Sequence, residues 1–218
     1  MKIIITGATG LVGEGVLLVC LENQVVKEVL IISRKPLTLT HEKLKELIVE
    51  DFATIKNYRQ DLENYDGCFF CAGASAVGEN EESFTRKTFG FVVPFAEILS
   101  QINPAMTFIY VSGNRTDSTE KGKAMWARVK GRTENALLKL SFKAVYNFRP
   151  GFMKPVKGQK NVRSVYRIFE VLSPLWYLLF PNWICTMREV GLAMINCVSK
   201  GYKTPILEVK DIKSQAKS

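Results

Sequence analysis

The sequence predicts an α/β fold, a doubly wound parallel sheet with helices on both faces. Short β-branched runs alternate with longer helical patterns along most of the chain. A loop rich in glycine separates the first such run from the first helical pattern. With 218 residues, 47% hydrophobic and 23% charged, the chain holds enough apolar material for one α/β core.

Residues 3–5 read as the first strand and 13–23 as the helix that follows it. Residues 29–32 make the second strand, 47–49 the third, and 68–71 the fourth, behind an Asp66-Gly67 turn. A helix at 81–101 leads to the fifth strand at 107–111, and a helix at 124–140 leads to the sixth at 144–148. After Arg149-Pro150-Gly151 the pattern changes. A basic stretch (Lys154, Lys157, Lys160, Arg163, Arg167) precedes an apolar one at 168–185. A helix at 188–199, a short strand at 206–207 and a charged tail from Lys210, expected to fray, complete the chain. The whole of 1–218 reads as a single domain, with 152–200 a small helical and apolar appendage on its substrate side.

The formal charge of +9 and pI near 9.3 raise the question of an anionic partner. The cations are spread along the chain, with no zinc finger, basic helix or aromatic ribonucleoprotein motif, so a nucleic-acid module is disfavoured. An anionic cofactor or an acidic membrane surface explains the charge equally well. The five cysteines (Cys20, Cys68, Cys71, Cys185, Cys197) form no paired framework, which points to reduced thiols. Cys68 and Cys71 have C-x-x-C spacing, but three residues along a strand they point to opposite faces. With His41 the only histidine, a zinc site lacks ligands and no metal is expected. The N-terminal apolar run meets glycine almost at once, unlike a signal-peptide core, and the expected compartment is the cytoplasm.

The glycine loop runs Gly7-Ala8-Thr9-Gly10-Leu11-Val12-Gly13. Between a strand and a helix, this pattern has a mechanism. Gly7 permits the tight turn, Gly10 admits a pyrophosphate to the backbone, and Gly13 lets the helix pack closely on the strand. The helix N-terminus then offers unpaired N–H groups and a positive dipole end to phosphate. The second strand ends in Ser33-Arg34-Lys35, where an NAD-selective site usually carries Asp or Glu. A guanidinium can pair bidentately with a 2′-phosphate that a carboxylate would repel. Arg34, assisted by Ser33 or Lys35, therefore favours NADP(H) over NAD(H).

With these residues in place, the chain resembles the short-chain dehydrogenase/reductase superfamily, in its atypical NAD(P)H-binding branch near the Tat-interacting-protein-like and epimerase-like members. The resemblance spans about residues 2–210 and rests on the glycine loop with Thr6, on Cys71-Ala72-Gly73, and on Tyr110-Val111-Ser112. Lys130-Gly131-Arg132-Thr133-Glu134, Phe148-Arg149-Pro150-Gly151 and Ile206-Leu207-Glu208 add to it. It implies a Rossmann-type sheet, with Asp51-Phe52 beside the adenine and Ala72-Gly73 passing the ribose near the nicotinamide. It also implies a catalytic serine after the fifth strand, matched by Ser112, and a Tyr-x-x-x-Lys pair whose lysine, matched by Lys130, binds the nicotinamide ribose.

The tyrosine is missing. Four residues before Lys130 stands Trp126, and none of the seven tyrosines precedes a lysine by four. A phenol can transfer a proton, whereas an indole N–H donates a hydrogen bond without titrating usefully. General acid catalysis is worth about 10²–10⁴-fold. Two functions stay open. The first is an NADP(H)-dependent oxidoreductase or epimerase in which Ser112 orients a carbonyl, Lys130 holds the ribose, and water or another acid (Asp117, Glu120 and Arg128 are near in sequence) supplies the proton. The second is an NADP(H)-binding sensor or scaffold that acts through a protein partner, with Trp126 packed over the nicotinamide site.

The apolar stretch runs from Phe169 to Ile184, interrupted by Glu170, Pro174 and Pro181, which argues against a spanning helix. Core or a lid over an apolar pocket is expected, with Phe152 and Trp126 on the substrate side, so that a small-molecule substrate would be apolar or aromatic. A subunit interface and a peripheral membrane contact are the alternatives.

Overall fold

The computed structural model of the chain describes residues 1–162 and 182–218. Seven parallel strands form the main sheet, in the order β3-β2-β1-β4-β5-β6-β9. They are β1 (Lys2–Thr6), β2 (Glu28–Ser33), β3 (Leu44–Ile48), β4 (Gly67–Phe70), β5 (Thr107–Val111), β6 (Ala144–Arg149) and β9 (Ile206–Glu208). From β1 the order runs outward one way through β2 and β3, and the other way through β4, β5 and β6. The crevice between β1 and β4 is thus a topological switch point, where doubly wound sheets bind ligands at the carboxyl ends of their strands.

Central strands covered on both faces read as unbroken apolar runs, and Ile3, Ile4 and Ile5 are each fully buried. Alternate residues serve two cores. Ile3, Ile5, Val29, Ile31 and Phe69 pack on the side of α1 (Leu11–Glu22) and α5 (Met187–Lys200). Ile4, Leu30, Ile32, Cys68 and Phe70 pack on the other, with Val92, Phe95 and Leu99 of α3 (Glu81–Ile102) and Leu137 of α4 (Met125–Leu137). Cys68 and Cys71 accordingly belong to opposite cores, and all five cysteines are free thiols.

Three local expectations change. The third strand is Leu44–Ile48, in register from Val29↔Leu44 to Ser33↔Ile48, and not 47–49. As an edge strand it carries exposed Lys45 and Glu46, which hid it from a search for apolar runs. The charged tail does not fray. It forms α6 (Val209–Gln215), which opens with a Glu208/Asp211 capping box and buries Val209 and Ile212. Within the stretch read as an appendage, Phe152–Lys154 (β7) and Ile184–Thr186 (β8) form a small parallel ribbon, and α5 packs along α1 in the core. Most of the apolar run, together with Arg163 and Arg167, lies outside the described residues. No described helix is long and apolar enough to cross a membrane.

Candidate dinucleotide site

β1 ends in Thr6, and the chain turns sharply at Gly7, whose φ of +73° favours glycine. A Cβ at Gly7 would sit 2.6 Å from the Ala72 nitrogen, and one at Gly13 would sit 2.1 Å from the Gly7 carbonyl oxygen. Both positions are closed to any side chain. Gly10 is less confined: a Cβ there would meet one atom, the Gly7 carbonyl oxygen, at a tight 3.3 Å. The Gly10 N–H donates to the Gly7 carbonyl at 2.9 Å, which closes the turn. Gly10 then stands at the N-cap of α1 and, having no side chain, makes no side-chain cap hydrogen bond, while Gln159 Nε2 donates to the Leu11 carbonyl in the first turn at 2.6 Å. The N-terminus of α1 is left for an anion.

Beside the loop lies a cleft of about 640 Å³ along the carboxyl ends of β1, β2 and β4. Gly7, Thr9, Ser33, Arg34, Asp51, Phe52, Ala72 and Gly73, all expected at the cofactor, line it. Gly10, at the N-cap of α1, and Leu11, Val12 and Gly13 in its first turn do not line the cleft, and neither do Cys71 and Lys35. Cys71 packs against the core, where burial pushes its thiol up to about 12. Ser33 Oγ donates to the Lys35 carbonyl at 2.7 Å, which shapes the turn that carries Arg34. The Asp51 carboxylate accepts from the Ala53 N–H at 2.9 Å and caps a short 3₁₀ helix (Phe52–Tyr58).

The far wall was not anticipated. Arg86, Lys87, Gly90, Phe91, Pro94 and Phe95 of α3 complete the cleft. Phe91 lies 5.0 Å from Phe52, ring centroid to centroid, which gives the cleft an aromatic floor. Pro94 has no N–H for the Gly90 carbonyl one turn earlier, and a Cβ on Gly90 would meet nothing closer than 3.9 Å. Two helix-breaking residues four apart in an otherwise regular helix were the signal that sequence reading passed over.

The nicotinamide end differs from expectation. Ser112 is 2% exposed, and its hydroxyl lies 2.5 Å from a Glu134 carboxylate oxygen and 3.2 Å from the Phe148 carbonyl. Glu134 is fully buried and pairs with Arg149 at 2.5 Å; Arg149 also reaches Glu208 at 3.2 Å and Ser118. Ser112 thus belongs to an internal network that ties β5 to α4, β6 and β9. Its hydroxyl is already engaged there and is not offered to a carbonyl in the cleft. The neighbouring Gly113 is only partly buried, and a Cβ there would lie 3.9 Å from Lys130 Nζ. Lys130 donates to the Ser112 carbonyl, and burial lowers its ammonium pKa while Glu134 pulls it the other way. Trp126, half-buried, stands one helical turn before Lys130 on α4. Phe152 lies on β7, where its N–H donates to the Trp183 carbonyl at 2.9 Å. None of Ser112, Trp126, Lys130 and Phe152 lines the 640 Å³ cleft, which is the adenosine half of the expected site.

Among the described residues no cluster of three or more His, Cys, Asp or Glu could hold a metal ion. A Rossmann-type sheet with a glycine-lined, uncapped helix end at its switch point defines a nucleotide-binding α/β protein. The chain belongs to the NAD dependent epimerase/dehydratase family, whose model matches residues 3–119. It is 30% identical over 144 residues to Leucinostatins biosynthesis cluster protein T of Purpureocillium lilacinum, covering 64% of this chain and 52% of that protein. It is 26% identical over 154 residues to Protein HTATIP2 of Rattus norvegicus, covering 70% of this chain and 62% of that protein. The chain thus spans about half to two thirds of the length of these two relatives. Against Protein FMP52, mitochondrial, of Debaryomyces hansenii, identity is 26% and coverage 92% and 88%. The fold matches the Bordetella bronchiseptica enzyme WbmF, solved in complex with NAD+, at a TM-score of 0.62 and 13% identity, covering 99% of this chain and 77% of that one.

Proposed function

We propose that this protein binds NADP(H) at the switch-point cleft and acts through the bound cofactor as a sensor or scaffold for a protein partner. The observation that supports the reading is a glycine-lined start of α1 beside the cleft, in a chain that carries Trp126 four residues before Lys130. Gly7, Gly10, Gly13 and the uncapped α1 N-terminus suit a pyrophosphate, and Arg34 in the cleft suits a 2′-phosphate. When bound, the nicotinamide supplies hydride transfer. The chain's own residues beside it supply little acid–base chemistry. Trp126 stands at the family's tyrosine position, and the Ser112 hydroxyl is held by Glu134. Lys130 keeps its place to bind a ribose hydroxyl, with its ammonium fixed on the Ser112 carbonyl.

The second reading is an NADP(H)-dependent oxidoreductase or epimerase acting on an apolar carbonyl compound. Lys130 beside Gly113 favours it, since the ammonium stands next to a residue without a side chain. Titration with NADPH and NADH, followed by a panel of apolar carbonyl compounds with NADPH consumption monitored, separates the two. Tight NADPH binding without turnover is expected. Turnover that disappears in Lys130→Ala while NADPH binding persists would install the enzyme instead, and equal affinity for NADH would remove the assignment of Arg34. A cytoplasmic address belongs to this proposal; a tagged chain found in mitochondria would remove it.

A further inference from the structure

Three cations, Arg34, Arg86 and Lys87, line the cleft against one carboxylate, Asp51, whose oxygen already caps the 3₁₀ helix. They are not equivalent. Lys87 is paired with Glu79 at 2.5 Å, so its charge is largely offset. Arg34 and Arg86 make no ion pair among the described residues, and both are exposed. Arg34 comes from the end of β2, whereas Arg86 comes from α3 on the opposite wall.

The geometry of α3 gives Arg86 a defined place. Residues 86, 90 and 94 recur every four positions and share one helix face, all three lining the cleft. Gly90 and Pro94 offer a wall with little side-chain bulk, next to the aromatic floor of Phe52 and Phe91, which suits a flat base. Arg86 stands four residues, about 6 Å, nearer the helix N-terminus than Gly90. That is the displacement from a base to a substituent on its ribose, not to the far end of a dinucleotide.

We infer that Arg86 is a second determinant of cofactor choice, closing on the ribose 2′-phosphate from the α3 side while Arg34 approaches it from β2. The inference rests on the NADP(H) reading above. Two guanidiniums on opposite walls bracket a dianionic phosphate, and each can offer paired N–H donors to its oxygens. A 2′-hydroxyl would leave Arg34 without an anion and Arg86 with only its distant pull on the Glu79 carboxylate. The pyrophosphate has its own site at the α1 N-terminus and does not need Arg86.

The test uses the full chain with adenosine 2′,5′-bisphosphate and 5′-AMP as probes of the adenosine half, and NADPH and NADH as whole cofactors. Arg86→Ala should weaken adenosine 2′,5′-bisphosphate and NADPH about tenfold or more and leave 5′-AMP and NADH within about twofold. Arg86→Lys should recover part of the loss, as a point charge without the fork. Since Arg86 is exposed, an unchanged thermal midpoint checks that the variant folds. A wild-type chain that prefers NADPH, with Arg86→Ala keeping that preference, overturns the role of Arg86 and leaves the NADP(H) reading intact. Equal losses for NADPH and NADH also overturn it, by placing Arg86 on the pyrophosphate. A wild-type chain with no preference for the 2′-phosphate overturns the NADP(H) reading itself, before any variant is made.

Discussion

At the scale of single residues, the glycines of the loop divide into two kinds that substitution can separate. Gly13→Ala drives a methyl to within 2.1 Å of the Gly7 carbonyl oxygen, a backbone atom that cannot step aside. It should destabilise the fold, by about 1–3 kcal/mol as overpacking commonly does, and this would appear as a lower urea midpoint. Gly10→Ala meets the same oxygen at 3.3 Å and needs only a small adjustment. The methyl would stand at the N-cap where a pyrophosphate is proposed to dock, so the fold should survive while NADPH affinity falls, read by fluorescence titration. If both variants lose stability equally, the assignment of Gly10 to a ligand is wrong. The cysteines allow a second residue-scale expectation. Burial pushes the thiols of Cys71, Cys185 and Cys197 up to about 12, and those of Cys20 and Cys68 up as well. The folded protein at pH 8 should therefore react slowly with an aromatic disulfide reagent at all five positions, and a rapid burst of even one equivalent would contradict this burial.

At the scale of elements, the Glu134–Arg149 pair fastens α4 to β6 and holds the Ser112 hydroxyl at the end of β5. Replacing Glu134 with Ala leaves a buried guanidinium with only Glu208 and Ser118, a loss on the order of 3–5 kcal/mol. Chemical denaturation should show it as the largest effect among charge deletions in the chain, well above that of the exposed Arg59–Glu63 pair. A second fastening joins β2 to β3: Glu28 accepts from Lys45 at 2.7 Å and from the Tyr65 hydroxyl at 2.8 Å. The Lys45 hydrogen bond outweighs burial, the next-largest effect, and with the lesser help of Tyr65 holds the Glu28 carboxyl below its usual value of 4.5. A depressed carboxylate adds stability above the unfolded pKa and loses it as pH falls through the folded one. Glu28→Gln should then flatten the loss of urea stability below about pH 4.5 and leave its pH 7 slope unchanged. These fastenings also mark the limit of what the chain discloses by inspection. Apolar runs announced β1, β2, β4 and β5 because both faces of a central parallel strand are buried. β3 and α6 escaped because their side chains answer to an edge and to a capping box, not to a core stripe. The glycine loop was legible because its pattern is local, with turn, cradle and helix end within seven residues. Ser112 stands directly after β5 as its spacing predicts, but local reading left its partners out of view. What decides its role is Glu134, 22 residues away, and no spacing rule reports that contact.

At the scale of the whole molecule, the two halves of the sheet are joined across β1 and β4, the crevice that the ligand is proposed to occupy. A ligand that touches β1, β2, β4, α1 and α3 together binds the folded chain and not the unfolded one, so it should act as a clamp on global unfolding. Mass action gives the size: at a hundred times its dissociation constant a ligand adds about 2.7 kcal/mol. For a chain of this length, each kcal/mol moves the midpoint by roughly 2–4 °C. NADPH at saturating concentration should therefore raise the thermal midpoint by about 5–11 °C. NADH at the same concentration should raise it by less, because Arg34 gains nothing from a 2′-hydroxyl. The +9 charge predicts that any anion gives some stabilisation at low salt, so the comparison belongs at about 0.15 M salt, where surface attraction fades beyond about 8 Å. Inorganic phosphate at the cofactor's concentration serves as the control. A shift with phosphate as large as that with NADPH would mean that charge alone, and not a shaped cleft, draws the cofactor. A shift with NADPH that survives the salt, exceeds that with NADH and shrinks in Arg34→Ala would tie the stability of the whole sheet to the occupant of its switch point.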